Sequence, residues 1–228
     1  MSFEPVAVTA FMIAYLVGSL PFGLIVARLV GGIDIRKQGS GNIGATNVAR
    51  VLGAKYGAAV LALDCVKGAA PTALLPTLLL ASDAHQHLHL EVLSGVAAIL
   101  GHMFPCWIGF RGGKGVATAL GVAIVLAPVA SGAALVVFVI CFLLTRIVSA
   151  SSIVGACAFC GVELWRLSPT PFGESTWSLA VFSTVVPILI VVRHRSNLAR
   201  LFRGTEPPFQ FGGKKPAPEK AEPPSVDE

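Results

Sequence analysis

Six stretches of this chain are apolar and nearly free of charge: residues 6–30, 56–80, 90–107, 116–145, 152–165 and 178–192. A helix on a soluble core needs only one apolar stripe, whereas about 20 consecutive apolar residues carry a helix across a hydrocarbon layer of ~30 Å. Charge is correspondingly scarce, at 13% of residues against about 25% in an ordinary soluble domain. Mean hydropathy is +0.77. These features exclude a disordered chain, a disulfide-rich secreted module and a soluble single-core domain. They describe an all-α, polytopic membrane protein.

The placement of Lys and Arg orients the spans. Residues 1–5 hold Glu4 and no Lys or Arg, unlike the start of a signal peptide. Arg28, Arg36, Lys37, Arg50 and Lys55 follow the first run and set it from outside to inside. The second run contains Asp64 and Lys67; segment 83–89, with His85, His87 and His89 but no Lys or Arg, is expected as a solvated outer loop. Residues 90–107 then return to the inner side, where Arg111 and Lys114 lie among glycines. As one helix, 116–145 would be ~45 Å long, more than a bilayer needs. Pro128 and Ser131-Gly132 supply a turn, so two short spans are expected at 114–128 and 131–146. Spans at 152–165 and 178–192 follow, around an outer loop at 168–174.

The expectation is seven transmembrane helices, N-terminus outside and C-terminus cytoplasmic, with Arg166 the main charge out of place. Residues 1–206 make up the membrane-embedded domain. Residues 207–228 are proline-rich, mixed in charge and without apolar periodicity, and are expected as a disordered cytoplasmic tail.

A net charge of +5 is explained by this inside bias; the basic residues are scattered between apolar runs and do not form a nucleic-acid-binding face. All five cysteines lie in or beside apolar runs, and Cys157-x-x-Cys160 has no second pair, so they are expected as small core residues. Four polar segments share the inner face: 39–50 (GSGNIGATNVAR), 101–105 with 109–115 (GHMFP, GFRGGKG), 149–152 (SASS) and 193–197 (RHRSN). Glycine lets backbone approach a ligand closely, inward N–H groups form anion nests, and Lys or Arg add charge-assisted bonds. Any one loop could simply connect helices. Four on one face, each with its own cation, Ser or His, point to a phosphate-bearing ligand next to lipid.

Two look-alikes fail. Gly39-x-Gly41-x-x-Gly44 fits a dinucleotide fingerprint, but no strand precedes it and Asp64 falls inside a span. Gly112-Gly113-Lys114-Gly115 has Gly where a Walker A loop needs Ser or Thr. Asp64 and Lys67, one turn apart, are open to a functional or a structural reading, and His102 suits a structural one. A transporter would place its cations near the midplane on broken helices with repeat symmetry, and this chain has neither feature.

The motifs GSGNIGATNVAR (39–50), LDCVKG (63–68), GHMFPCWIGFRGGKGVAT (101–118) and RHRSNLARLFRGTE (193–206) resemble the bacterial acyl-phosphate:glycerol-3-phosphate acyltransferases, the PlsY family. The resemblance spans about residues 6–206; the tail has no place in it, and Arg111 stands where Lys is common. It implies acyl transfer from acyl phosphate to the 1-hydroxyl of glycerol 3-phosphate, giving lysophosphatidic acid and phosphate at the start of phospholipid synthesis. It further implies no acyl-CoA, acyl carrier protein, ATP, cofactor or metal, and a monomer in the bacterial inner membrane with its site on the cytoplasmic face. Ser40, Arg50, Lys114, His194 and Asn197 are the implied catalytic set. Gly39, Gly41, Asn42, Gly44, Thr46, Asn47, Gly112, Gly113, Gly115 and Ser152 are the implied phosphate-binding set, with backbone N–H groups of both glycine loops cradling phosphate and Thr46 and Asn47 supporting the first loop. The proton acceptor is His194 or, as the favoured alternative, a substrate phosphate oxygen.

Overall fold

A computed structural model describes residues 3–79 and 84–210, and all regular structure among them is helical. In chain order the α-helices are α1 (Phe3–Gly18), α2 (Phe22–Gly31), α3 (Ala45–Leu52), α4 (Ala54–Leu78), α5 (Ala84–Met103), α6 (Val116–Leu126), α7 (Pro128–Thr145), α8 (Val148–Arg166), α9 (Trp177–Arg193) and α10 (Arg195–Phe202). Short 3-10 turns at Ile35–Lys37 and Cys106–Ile108 open the two glycine loops.

The first apolar run is one span by composition, Glu4–Gly31, but it breaks between α1 and α2 at Ser19–Pro21. Pro21 has no N–H to continue the helical ladder. The run expected as two spans separates at Ala127, and Pro128 takes the first position of α7, where its missing N–H would have been unpaired anyway. Ser131 and Gly132 are not the turn: the Ser131 amide already bonds Ala127 O at 3.0 Å inside α7. The histidine segment is likewise helical from Ala84 onward. His87 pairs with Glu91 one turn on at 3.5 Å, and His89 Nδ1 meets Ser178 Oγ at 2.7 Å with its ring 5.2 Å from Trp177. Those polar groups interrupt the hydropathy without interrupting the helix. Of the outer loop expected at 83–89, residue 83 lies outside the described residues and 84–89 instead form the first turns of α5.

Five stretches are long and apolar enough to cross a membrane, and α9 with α10 makes a sixth if that pair, bent by 63°, is one span. Helix α6 has 11 residues, ~16 Å at 1.5 Å per residue, about half a hydrocarbon layer. Helix α1 packs on α5, α4 lies between α5 and α6, and α7 rests almost wholly on α8, which α9 joins to α5. The approach of α4 to α6 is backbone to backbone: a Cβ at Gly68 would strike Thr118 O, and one at Gly121 would strike Cys65 O. Small residues that let backbones touch drive helix association in lipid. This contact fixes where α6 begins, directly after Lys114.

The ionisable pair in the second run is structural in its geometry. Lys67 Nζ lies 2.7 Å from Asp64 Oδ1, with both side chains 2% exposed. It also donates to Leu20 O at 2.8 Å, satisfying a carbonyl that the α1–α2 break leaves without a helical partner. His102 Nδ1 is 3.6 Å from the same Asp64 oxygen. One polar chain thus joins the α1–α2 break, α4 and the end of α5. Removing one member leaves a buried charge uncompensated, a loss of ~3–5 kcal/mol. Asp64→Leu and Lys67→Met should each lower the melting temperature of the detergent-solubilised protein sharply, and the double variant should lose less than the two losses added. Additive losses in that cycle would contradict the pairing.

Candidate active site

The first glycine loop is organised by Asn47, which is 2% exposed. Its amide donates to Gln38 O (3.0 Å) and Asn42 O (2.8 Å), and its Oδ1 accepts from the Ser40 N–H at 2.9 Å. Gly41 N–H goes to Gln38 O (2.9 Å) and Gly44 N–H to Asn42 Oδ1 (2.8 Å). The loop is therefore self-satisfied. Ser40, Gly41 and Gly44 commit their amides to its own turns and not to a ligand. Ser40 and Gly39 are exposed on it, and Thr46 lies in the first turn of α3.

The second loop is tied down from two sides. Gly112 N–H bonds Met103 O at 3.2 Å and Gly113 N–H bonds His102 O at 3.1 Å, which pins the loop to the end of α5. Gly113 lies on the His102 ring so closely that a Cβ there would collide with Nε2. Arg193 reaches across from α9, donates to Gly112 O (3.1 Å) and Gly113 O (2.8 Å), and stacks over Phe104 at 5.4 Å. The amides expected to cradle phosphate at 112 and 113 are thus occupied by carbonyls, and the arrangement presents the Lys114 side chain instead. Gly115, at φ +84°, caps α6 immediately behind it.

Lys114 Nζ donates to Asn197 Oδ1 at 2.6 Å. Asn197 Nδ2 in turn donates to Glu206 Oε1 at 2.5 Å, an oxygen that also accepts from Ser149 Oγ at 2.7 Å; Arg200 Nε holds Oε2 at 2.6 Å. Ser149, not Ser152, therefore enters this network, because Ser152 Oγ turns back to Val148 O at 2.8 Å. Burial opposes ionisation of Glu206, yet the bonds from Ser149, Asn197 and Arg200 outweigh it and hold the carboxyl below its ordinary value. Burial brings the Lys114 ammonium down to about 8, with Arg200, Arg50 and Arg193 pushing the same way against the pull of Glu206. Arg50, at the end of α3, joins the site through that field.

His194 sits at the bend between α9 and α10, 2% exposed. Its Nδ1 lies 2.8 Å from Ile190 O; a carbonyl only accepts, so the proton is on Nδ1 and the Nε2 lone pair is left over. Burial and the Lys114 charge lower its pKa to about 4, so the ring is neutral throughout the working range.

Two cavities adjoin this cluster. One, of about 560 Å³, brings the three loops together, with Gly41, Gly112, Arg193, Arg111, Arg36 and Lys37 in its wall. The other, of about 190 Å³, is almost wholly apolar and runs between α6, α7, α8 and α9; Val116, Ser152 and Ile190 form the end next to Lys114 and His194. Glu206 is the member of the site that sequence reasoning passed over. Its signal was faint, a lone acid closing a basic segment. The chain also stays packed beyond the expected domain edge: Phe209 N–H bonds Arg146 O at 2.7 Å and its ring meets Phe142 at 6.1 Å. The rest of the expected tail, 211–228, lies outside the described residues.

Fold and site together define a helical integral membrane protein with a cluster of cationic side chains beside an apolar cavity. The family model for glycerol-3-phosphate acyltransferase matches residues 8–204. A glycerol-3-phosphate acyltransferase of Anaeromyxobacter dehalogenans is 47% identical over 195 residues, covering 84% of this chain and 92% of the relative. One from Listeria monocytogenes is 40% identical over 200 residues, covering 88% and 95%. The crystal structure of PlsY, an integral membrane glycerol 3-phosphate acyltransferase, in its glycerol 3-phosphate form, superposes with a TM-score of 0.78 at 37% identity, covering 90% of this chain and 96% of that one. The chain belongs to the glycerol-3-phosphate acyltransferase family, and it is a membrane acyltransferase.

The charge state of Lys114 sets a pH dependence. The ammonium attracts phosphate only while protonated, so kcat/KM for acyl transfer should fall as pH rises through about 8. Lys114→Arg, charged at every accessible pH, should shift that alkaline limb upward in a pH–rate profile. An unmoved limb in the arginine variant would assign it to another group.

Proposed function

We propose that the protein transfers a fatty acyl group from acyl phosphate to the 1-hydroxyl of glycerol 3-phosphate, releasing lysophosphatidic acid and inorganic phosphate. The observation that carries this reading is the junction of a cation cluster with an apolar cavity, whose shared border is formed by Val116, Ser152 and Ile190. A fatty chain and a phosphate on one molecule fit that junction. Two solved structures of one relative, PlsY in its glycerol 3-phosphate form and in its lysophosphatidic acid form, agree with both ends of the reaction.

An acyl phosphate is a mixed anhydride with a good leaving group, so the protein need form no covalent intermediate. The glycerol O1 attacks the acyl carbon, the new C–O ester bond forms, and the acyl–phosphate C–O bond breaks. Holding the two reactants together supplies most of the advantage. Lys114 and Arg50 bind phosphate oxygens and offset the charge that develops on the acyl oxygen and the leaving phosphate. Asn197, oriented by Glu206, positions the Lys114 ammonium. The hydroxyl of Ser40 donates to a substrate, on a frame made by the Gly39–Gly44 and Gly112–Gly115 loops with Asn42, Thr46 and Asn47, while Ser152, whose hydroxyl donates to Val148 O, lines the border of the apolar cavity. His194 Nε2 accepts the hydrogen bond of the glycerol hydroxyl and orients it. At about 4 its pKa is too low for it to keep the proton, so a substrate phosphate oxygen takes it, and phosphate departs with it.

The same reading places the site on the cytoplasmic face of the bacterial inner membrane, with seven crossings, the N-terminus outside and the C-terminus inside. Helices α6 and α7 return to the same face whether α6 crosses fully or only in part, so its shortness leaves the orientation unchanged. Residues 1–206 make up the catalytic unit, edged by the docked Phe209. It acts as a single copy, without cofactor or metal, with acyl phosphate and glycerol 3-phosphate as its partners.

Pure protein in detergent, given palmitoyl phosphate and glycerol 3-phosphate, should produce lysophosphatidate and phosphate, and should make no product with palmitoyl-CoA. Lys114→Ala and Arg50→Ala should each cut turnover by more than ~100-fold, the scale of losing a transition-state charge contact. Turnover with acyl-CoA at a comparable rate, or near-wild-type activity in both variants, would falsify the donor and site assignments respectively. Liposome uptake of glycerol 3-phosphate without turnover would indicate a transporter.

A further inference from the structure

The apolar cavity has an open end, an open side and a closed end. Its mouth at Val116, Ser152 and Ile190 faces the cation cluster, and its side wall includes Leu61 and Leu135, which are 47% and 48% exposed toward the bilayer. Its far end is closed by Phe159 and Phe182, whose rings meet edge to face at 6.1 Å and 88°. Both are buried, at 6% and 2%, and both belong to the core cluster that includes Ala127, where α6 turns into α7. Ser131 lies in the same cavity and buries a hydroxyl without a partner among the described residues, a poor neighbour for a hydrocarbon end.

Resting on the acyl-phosphate reading above, we infer that the Phe159–Phe182 pair is the acyl-chain stop, a specificity-determining element that limits how far the donor chain enters and turns longer chains out to the bilayer between Leu61 and Leu135. Three helices give the same depth. From mouth to closed end the path runs from Ser152 to Phe159 on α8, from Val116 to Ala123 on α6 and from Ile190 to Phe182 on α9, in each case roughly 10–12 Å of helix at 1.5 Å per residue. An extended chain advances roughly 1.3 Å per carbon when C–C bonds are near 1.5 Å. About eight carbons fit straight. A palmitoyl chain is twice that length, and its distal half leaves the cavity sideways into lipid, where added methylenes change little. Discrimination is concentrated in the first eight carbons, where each methylene meets protein.

The test is the ratio of kcat/KM for palmitoyl phosphate to that for butyryl phosphate, which is too short to reach the aromatic pair and serves as reference for a folded centre. Ala156→Phe plugs the cavity one turn in from Ser152 and should lower the ratio about tenfold, the scale on which apolar pockets discriminate chain length. Phe159→Ala should raise it by a similar factor, and Phe159→Leu, which keeps the core filled, should raise it by a smaller one. An unchanged ratio in Ala156→Phe and Phe159→Leu, with butyryl phosphate still turned over, overturns the stop and leaves the donor assignment standing. If Ala156→Phe does not fold, the two Phe159 variants decide. If no acyl phosphate of any length reacts in the wild-type protein, the donor assignment falls, and the same ratio measured with the acyl thioesters still decides the stop.

Discussion

Like charges gathered in one cluster repel one another, and within the cluster of Lys114, Arg50, Arg193 and Arg200 specific partners hold Lys114, Arg193 and Arg200 in place. Arg193 is anchored on the carbonyls of Gly112 and Gly113. Arg200 is bound to Glu206, and the same carboxylate reaches Lys114 through Asn197. One acid therefore neutralises part of the cluster and fixes its geometry, and in the proposed reaction Lys114 and Arg50 are the cations that an incoming phosphate meets. The penalty of burying an ammonium, to which the neighbouring arginines add, shows in the lowered pKa of Lys114. A bound phosphate relieves that penalty. In the proposed reaction that relief directs binding energy to the place where charge develops.

The geometry reaching Lys114 from below is equally rigid. The Lys67–Asp64 pair ties α4 to the α1–α2 break, His102 stands beside Asp64, and Gly113 rests on the His102 ring. Backbone contact between α4 and α6 at Gly68 and Gly121 fixes the first turn after Lys114. The loop between those two supports has little freedom of its own. These buried polar groups lie side by side from the α1–α2 break, through Asp64 and Lys67, to His102 beneath the loop that carries the cation.

Much of this was legible in order along the chain, and the part that was not has one physical cause. Apolar runs of membrane-crossing length read directly as helices, and Pro128 read as the break between α6 and α7 because a run too long for one span needs a break and proline supplies it; Pro71, Pro76 and Pro187 stand inside α4 and α9 without ending them. The loops 39–50 and 109–115 read as sites because glycine and cations clustered there. What escaped was pairing at a distance. Glu206 meets Ser149 across 57 residues, and nothing local to either marks the contact. The glycine amides were read as free for phosphate, whereas those of Gly112 and Gly113 pair with carbonyls at the end of α5, a commitment invisible until the fold is closed. His87 and His89 looked like loop residues because hydropathy measures polarity and not backbone state; in the structure they are polar residues on a helix that outlasts its apolar run.

The state of His194 bears on why such a site would use an acyl phosphate at all. Its Nδ1–H is held by Ile190 O, its ring is buried, and the Lys114 ammonium is near, so it stays neutral and binds a proton weakly. A hydroxyl nucleophile attacking an unactivated ester or amide needs a strong general base, and a group with a pKa of about 4 gives little of that help at neutral pH. Lowering the barrier then falls to the leaving group and to electrostatics. A mixed anhydride supplies the first, since phosphate leaves readily, and the cations of the site supply the second by holding the leaving oxygens. The phosphate also carries an oxygen able to accept the proton once the acyl–phosphate bond stretches. Under the proposed reaction the weakness of the base and the reactivity of the donor are therefore complementary: burial makes His194 a poor base, and the same burial next to Lys114 makes a well-held seat for the group that replaces it.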